Sequence, residues 1–198
     1  MKTFLKILLF IIFSPSFTLA ANSCWDTMIW DQDSWGDSMD PGWNLISLPL
    51  QPANTAISNV LASISGKYSS TWAYQNNEWK VFDPANPGLS DLSILEAGWG
   101  YWLDMTEAAS LPVAGTEPSK TINLITGWNL VGYNSSNSQN ITDALASIAG
   151  NVLSVWAYKN DAWQVYDPTN PGGSNLTTMS PGYGYWIYTN GACTWTLP

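Results

Sequence analysis

Two groups of carboxylates in this chain could do chemistry, and each points to a different kind. Asp31, Asp33 and Gly36 stand at the spacing of positions 1, 3 and 6 of a helix–loop–helix calcium loop. Trp35 takes position 5 and Gly42 position 12, so the closing bidentate glutamate is missing. Calcium would then be held by Asp31, Asp33 and Asp37 in some other geometry; a solvated acidic lead-in accounts for the same stretch without a cofactor. Asp83 and Asp167 recur in Asp-Pro-x-Asn-Pro-Gly at 83–88 and 167–172. A carboxylate that accepts backbone N–H bonds inside its own turn explains both. Use as an acid/base pair would require the two loops to face each other at glycosidase separation. The absence of histidine removes a histidine base and the common histidine-containing zinc sites. Neither a phosphate-binding glycine loop leading to lysine nor a dinucleotide fingerprint occurs. The expectation is a protein that is not an enzyme, with a carboxylate-only glycoside hydrolase as one alternative.

Aromatic residues offer contact chemistry instead. The chain carries 13 tryptophans and 9 tyrosines. Such rings stack on sugar rings, and neighbouring amides or carboxylates can bond the hydroxyls. Trp79, Trp99 and Trp163 are the candidate platforms, with Asn77 beside the first and Asp161 beside the last; Tyr183 stands where Trp99 does in a second copy of the motif. Trp43, Trp72, Trp102, Trp128, Trp156 and Trp186 are expected in the core, because tryptophan is highly buried on average. Cys24 and Cys193 lie outside any Cys-x-x-Cys motif, and in an oxidising compartment they are expected to form one disulfide. Closing a loop of about 170 residues is worth roughly 5 kcal/mol in the chain-entropy model.

The elements that position these residues are written twice. Gly-Trp-Asn-Leu opens at 42 and again at 127, and from Leu61 and Leu145 onward the copies run in step at a spacing of 84 residues. Each opening predicts a strand, 43–48 and 128–133. Ile57, Val60, Leu61 and Ile64 have helical spacing, as do Ile141, Ala144, Leu145 and Ile148. The expected helices are about ten residues long, capped by Asn54 or Thr55 and by Asn140 or Thr142, and stopped by Gly66 and Gly150. Hairpins follow at 70–82 and 155–166, turning on Asn76-Asn77 and Asn160-Asp161, residues that tolerate left-handed backbone. Alternation puts Trp72 and Tyr74 on one face, and likewise Trp156 and Tyr158. A sheet whose aromatic face packs under the short helix is the arrangement expected. Strands 101–104 and 185–188 come next, behind glycines at 98, 100, 182 and 184 that permit close backbone approach. Residues 109–114 and 121–124 read as further strands, and Cys193 to Leu197 takes in the second copy the place that 110–113 takes in the first.

The joint pattern Gly-Trp-Asn-Leu, Leu-Ala-Ser-Ile, Trp-x-Tyr, Trp-x-Val-(Phe/Tyr)-Asp-Pro and Gly-x-Gly-Tyr-Trp-(Ile/Leu) resembles a tandem module of secreted bacterial and archaeal proteins. The resemblance covers roughly residues 42–198 and implies an extracellular, non-enzymatic module engaged in surface attachment or ligand binding. It supplies no catalytic residues.

Charge and ends set the remaining bounds. Lys2 and Lys6, an apolar run from Ile7 to Phe13, and small residues before Ala21 read as a secretory signal over 1–20. Nothing later is long and apolar enough to predict insertion in a membrane. Removal of the signal leaves lysines 67, 80, 120 and 159 against 15 carboxylates, with no arginine. Such a surface disfavours nucleic acid and anionic lipid, whose binding rests on Lys and Arg. The reading is an α+β protein, secreted or at the cell surface: signal 1–20, acidic segment 21–41, and two homologous units at 42–118 and 119–198. Each unit is a small antiparallel or mixed sheet with one short helix. The expected function is binding or adhesion, with a polysaccharide or an extracellular protein surface as partner. A structural subunit of a surface assembly is the main alternative.

Overall fold

The structure, a computed structural model, describes residues 39–198. Asp31, Asp33, Asp37 and Cys24 lie outside the described residues, and with them the calcium reading and one end of the expected disulfide. Cys193 is a half-buried free thiol whose pKa is raised by burial.

Strands β1 (Gly42–Ser47), β2 (Tyr68–Gln75), β3 (Glu78–Phe82) and β4 (Gly100–Met105) form an antiparallel four-stranded sheet in the order β1-β4-β2-β3. β5 (Thr121–Leu124) leads out of this half. The same plan then recurs: β6 (Gly127–Gly132), the two-residue β7 (Gln139–Asn140), β8 (Val152–Lys159), β9 (Ala162–Tyr166), the two-residue β10 (Thr178–Met179), β11 (Gly184–Thr189) and β12 (Cys193–Thr196). Their four-stranded sheet has the order β6-β11-β8-β9, while β7 pairs with β10 and β5 with β12. Registers match too: Trp72 sits opposite Trp102 and Trp156 opposite Trp186. Both sheets shift register once, near Ser69 and near Leu153.

The hairpins turn as expected. Asn76 and Asn77 have φ of 54° and 66°, and Asn160 and Asp161 have 52° and 57°. Two successive left-handed residues make the tight turn that matches strand twist, and Asn and Asp tolerate that region best after glycine. The outer strands β3 and β9 are blunted as edges: Val81 N–H donates to Asp91 Oδ1 and Val165 N–H to Asn175 Oδ1, both at 2.7 Å.

The helices are shorter than expected. Each is a single α-turn, α1 (Ile57–Val60) and α2 (Ile141–Ala144), followed by a 3-10 turn at Ala62–Ile64 or Ala146–Ile148. An isolated turn pays the nucleation cost without propagation, so tertiary burial of Ile57, Leu61 and Ile64 must hold it. Asn140 caps α2 by accepting from Thr142 N–H, whereas α1 has no side-chain cap. Among the described residues, the strand expected at 109–114 is reduced to one bridge, Ala109 to Met39. Pro112 lacks an N–H and cannot donate to a ladder there. Its counterpart in the second half, β12, has a full partner in β5.

One face of each sheet packs on its helix turn. Ile46, Ala73, Tyr101 and Leu103 meet Ile57, Leu61, Ile64, Leu92 and Leu95 in the first core. Val131, Val155, Ala157, Tyr185 and Ile187 meet Ile141, Leu145, Ile148, Leu176 and Trp195 in the second. Tyr101 OH both donates to Glu96 O and accepts Glu96 N–H, and burial raises its pKa; Tyr185 does the same with Ser180. These core faces are not the aromatic ones. Trp72, Tyr74, Trp79 and Trp102 lie on the opposite side of the first sheet, turned away from the helix.

Candidate binding surface

The two sheets meet through reciprocal contacts. Ser47 N–H donates to Gly182 O at 2.8 Å, and Gly132 N–H donates to Gly98 O at 3.1 Å. Ile46 bridges Tyr183 as Val131 bridges Trp99. A Cβ on Gly100 would lie 2.9 Å from Leu130, and one on Gly184 would lie 2.8 Å from Ile46 O. The repeated glycines are thus where the halves touch, as their spacing implied. A residue pair exchanged in both directions is the mark of an approximate two-fold axis.

Beyond this contact line the aromatic faces oppose each other. Tyr74 and Trp79 pack on Trp186 at centroid distances of 5.3 and 5.7 Å. Tyr158 and Trp163 pack on Trp102 at 5.4 and 5.7 Å. Edge contacts continue outward, from Trp102 to Trp43 at 6.1 Å and from Trp186 to Trp128 at 6.0 Å. Tilted and edge-to-face geometries suit the ring quadrupoles and hold the indoles in fixed orientations. Leu45 and Leu130 are buried where the faces close, but the faces then diverge.

Two grooves result. One, of about 440 Å³, is lined by Trp43, Trp72, Trp79 and Trp102. The other, of about 570 Å³, is lined by Trp128, Trp156, Trp163 and Trp186, with Tyr74 and Trp79 from the first sheet. Each tryptophan of the first set corresponds to one of the second at a spacing of 84 or 85 residues. No charged side chain lines either groove. The Trp72 and Trp156 indole N–H groups donate to Ser70 and Ser154 hydroxyls. Those of Trp43, Trp79, Trp102, Trp128, Trp163 and Trp186 find no acceptor among the described residues.

Of the candidates named from sequence, Trp79 and Trp163 fall in the grooves and are the most exposed tryptophans among the described residues, at 48 % each. Trp43, Trp128 and Trp156 are exposed as well, and Trp72, Trp102 and Trp186 are half-buried, so the expectation of a core role for these six is corrected. Among the described residues the tryptophan that is sealed in the core is Trp195, whose Nε1–H donates to Ala144 O at 2.7 Å. Asn77 and Asp161 do not line the grooves; they form the hairpin turns and accept from Tyr74 OH and Tyr158 OH. Trp99 and Tyr183 are half-buried against the first and second cores. Lys159 Nζ lies 4.3 Å from the Tyr183 ring centroid.

The repeated aspartates serve their own loops. Asp83 accepts from Ala85 N–H and Asn86 Nδ2, and Asp167 accepts from the Thr169 N–H and hydroxyl. Bonds to the ionised form hold both carboxyls below the usual range, led by Asn86 for Asp83 and by Thr169 for Asp167. No cluster of three potential metal ligands occurs among the described residues. No helix among them is long and apolar enough to cross a membrane.

Set against known proteins, the chain matches no family model, no curated protein and no solved structure. The reading of the site therefore rests on its geometry. Exposed indoles in fixed orientations, spare N–H donors and uncharged walls can bind a neutral ligand by stacking and hydrogen bonding.

Proposed function

We propose that this chain is a secreted, non-catalytic binding protein built from two homologous units, and that its tryptophan-lined grooves take the sugar rings of an extracellular polysaccharide. The observation that carries the reading is the exposure of matched tryptophans, on faces that a folded chain of this kind would otherwise bury. Exposed apolar surface of this kind marks interaction sites. Sugar rings present apolar C–H faces to an indole and hydroxyl oxygens to its N–H. Two equivalent grooves on one chain would gain avidity on a repeating polymer even where each site is weak. The absence of charged walls fits a neutral glycan better than an acidic one. Titrating the intrinsic tryptophan fluorescence with soluble glucans, mannans and chitin oligomers tests this. A saturable shift that is lost in Trp79→Ala/Trp163→Ala supports it, and silence across the panel sinks it.

A second reading has one observation of its own: the grooves carry very few polar groups, which also suits an apolar protein surface, including another copy of this chain. Sedimentation at micromolar protein separates the two, because a packing module would associate and a glycan-binding monomer would not.

A further inference from the structure

The side chains of the two grooves are one-sided in their hydrogen bonding. Trp43, Trp72, Trp79 and Trp102 make the smaller groove, and an indole donates through Nε1–H but has no acceptor to offer in return. The larger groove sets four further indoles beside Trp79 and adds one hydroxyl, that of Tyr74, which donates to Asn77 Oδ1. Its oxygen is the single side-chain acceptor in either groove. The Ser70 and Ser154 hydroxyls take the N–H groups of Trp72 and Trp156. The other six indoles make no hydrogen bond among the described residues. Solvent reaches the N–H even of the half-buried Trp102 and Trp186, because the buried side-chain polar atoms left without a partner belong to Thr71, Tyr133, Asn134 and Gln139.

Walls that donate without accepting discriminate among neutral glycans. Each free sugar hydroxyl brings a donor with its lone pairs, and a donor buried against indoles gives up its water without finding a replacement. An O-acetyl group removes that donor. In its place it sets an ester carbonyl, which can accept from an indole N–H, and a methyl group, which gains by leaving water for an apolar wall. No charged side chain lines either groove, so acetylation, which adds no charge, fits where an acidic substituent does not. Trp79 lines both grooves, and Trp163 is its exposed counterpart 84 residues on, so these two indoles are the donors to alter.

We propose that the grooves select O-acetylated neutral polysaccharide, with ester carbonyls accepting from the unpaired indole N–H groups and acetyl methyls lying on the rings. This names a substrate class within the polysaccharide reading and rests on that reading. The test takes an O-acetylated glucomannan, cut to soluble oligomers of uniform length, and the same oligomers after mild alkaline deacetylation. Titrated against the full chain by tryptophan fluorescence, the acetylated form should bind about tenfold or more tighter, the equivalent of one or two added hydrogen bonds. Trp79→Phe/Trp163→Phe keeps an aromatic ring at each place and removes two N–H donors. In that variant the ratio should fall to about threefold or less, the part that methyl burial supplies. Near-UV circular dichroism shows that the variant keeps the fold, and the matched oligomers on the unaltered chain decide the matter without it. Deacetylated oligomers that bind as tightly as acetylated ones, or tighter, would overturn the selectivity and leave the polysaccharide reading standing. A folded double variant that keeps the full ratio would also overturn it, since donor pairing would then play no part. If neither form binds while another glycan does, the selectivity alone is wrong; if no glycan binds, both fail.

Discussion

Each sheet has a sealed face and an open face, made from adjacent residues of the same strands. Ala73 and Ala157 are fully buried, while their neighbours Trp72 and Trp156 keep part of their indoles in solvent. On the sealed side, small residues and tyrosines leave room for the α1 and α2 turns, and the Tyr101 and Tyr185 hydroxyls are each satisfied by a backbone turn. On the open side, large rings prop the sheets apart, touching at their edges and leaving grooves between. The difference teaches that aromatic bulk here serves spacing and display. The core is built mainly from leucine, isoleucine and tyrosine.

Substitutions should separate the two faces sharply. Trp195→Ala removes a fully buried indole and its bond to Ala144 O, and should cost about 4 kcal/mol in denaturant unfolding. Trp79→Ala removes a half-exposed ring and should cost about 1 kcal/mol, yet it should abolish or sharply weaken polymer binding. If Trp79→Ala destabilises as much as Trp195→Ala, the open face is in truth a second core and the contrast fails.

Much of this contrast was hidden in the sequence, although the elements were not. The hairpin turns, the aspartate loops, the opening strands and the close approach at Gly100 and Gly184 each follow from local chemistry: left-handed tolerance, short side-chain acceptors, a missing Cβ. Alternation also placed Trp72 with Tyr74 on one face. What alternation cannot supply is which face the helix covers, since period 2 is indifferent to the sign of the sheet normal. Opposite Trp72 stand Thr71, Ala73 and, across the ladder, Leu103, a set small enough to admit a helix turn. That steric contrast was the available signal. The ten-residue helix was overestimated because four apolar positions at helical spacing also fit an α-turn continued as 3-10.

Among the titratable differences between the two halves, one is a partly buried lysine. Lys159 stands on Tyr183 and Tyr185, at 4.3 and 5.3 Å, where the first half has Gln75. Burial pulls its pKa down to about 8 from 10.5, and the tyrosine faces act against that by attracting the charged ammonium. A base whose folded pKa lies below its unfolded value binds fewer protons when folded. Stability should therefore rise with pH between about 8 and 10.5, relative to Lys159→Gln. Paired urea titrations across that window measure the difference directly. Parallel curves for the two proteins would mean that the ring contacts cancel the desolvation and that the halves are electrically equivalent here.

The smallest effect should come from the place where the halves agree most closely. Asp83 and Asp167 hold the same loop by accepting the N–H two residues on, one leaning also on the Asn86 amide and the other on the Thr169 hydroxyl. Their folded pKa values are depressed, so the stabilisation is complete above the ordinary carboxylate range and fades as pH falls through the folded values. Both carboxyls are open to solvent, which keeps the effect slight and weakens it further in salt. Asp83→Asn keeps an acceptor for Ala85 N–H but loses the charge; Asp83→Ala loses both. If the loop is the whole purpose, Asn should behave nearly as the parent does near neutral pH and should flatten the acid limb of its unfolding curve. Ala should lower thermal stability slightly at every pH. A loss of glycan binding in Asp83→Asn, with the fold unchanged, would instead give these carboxylates a part in recognition.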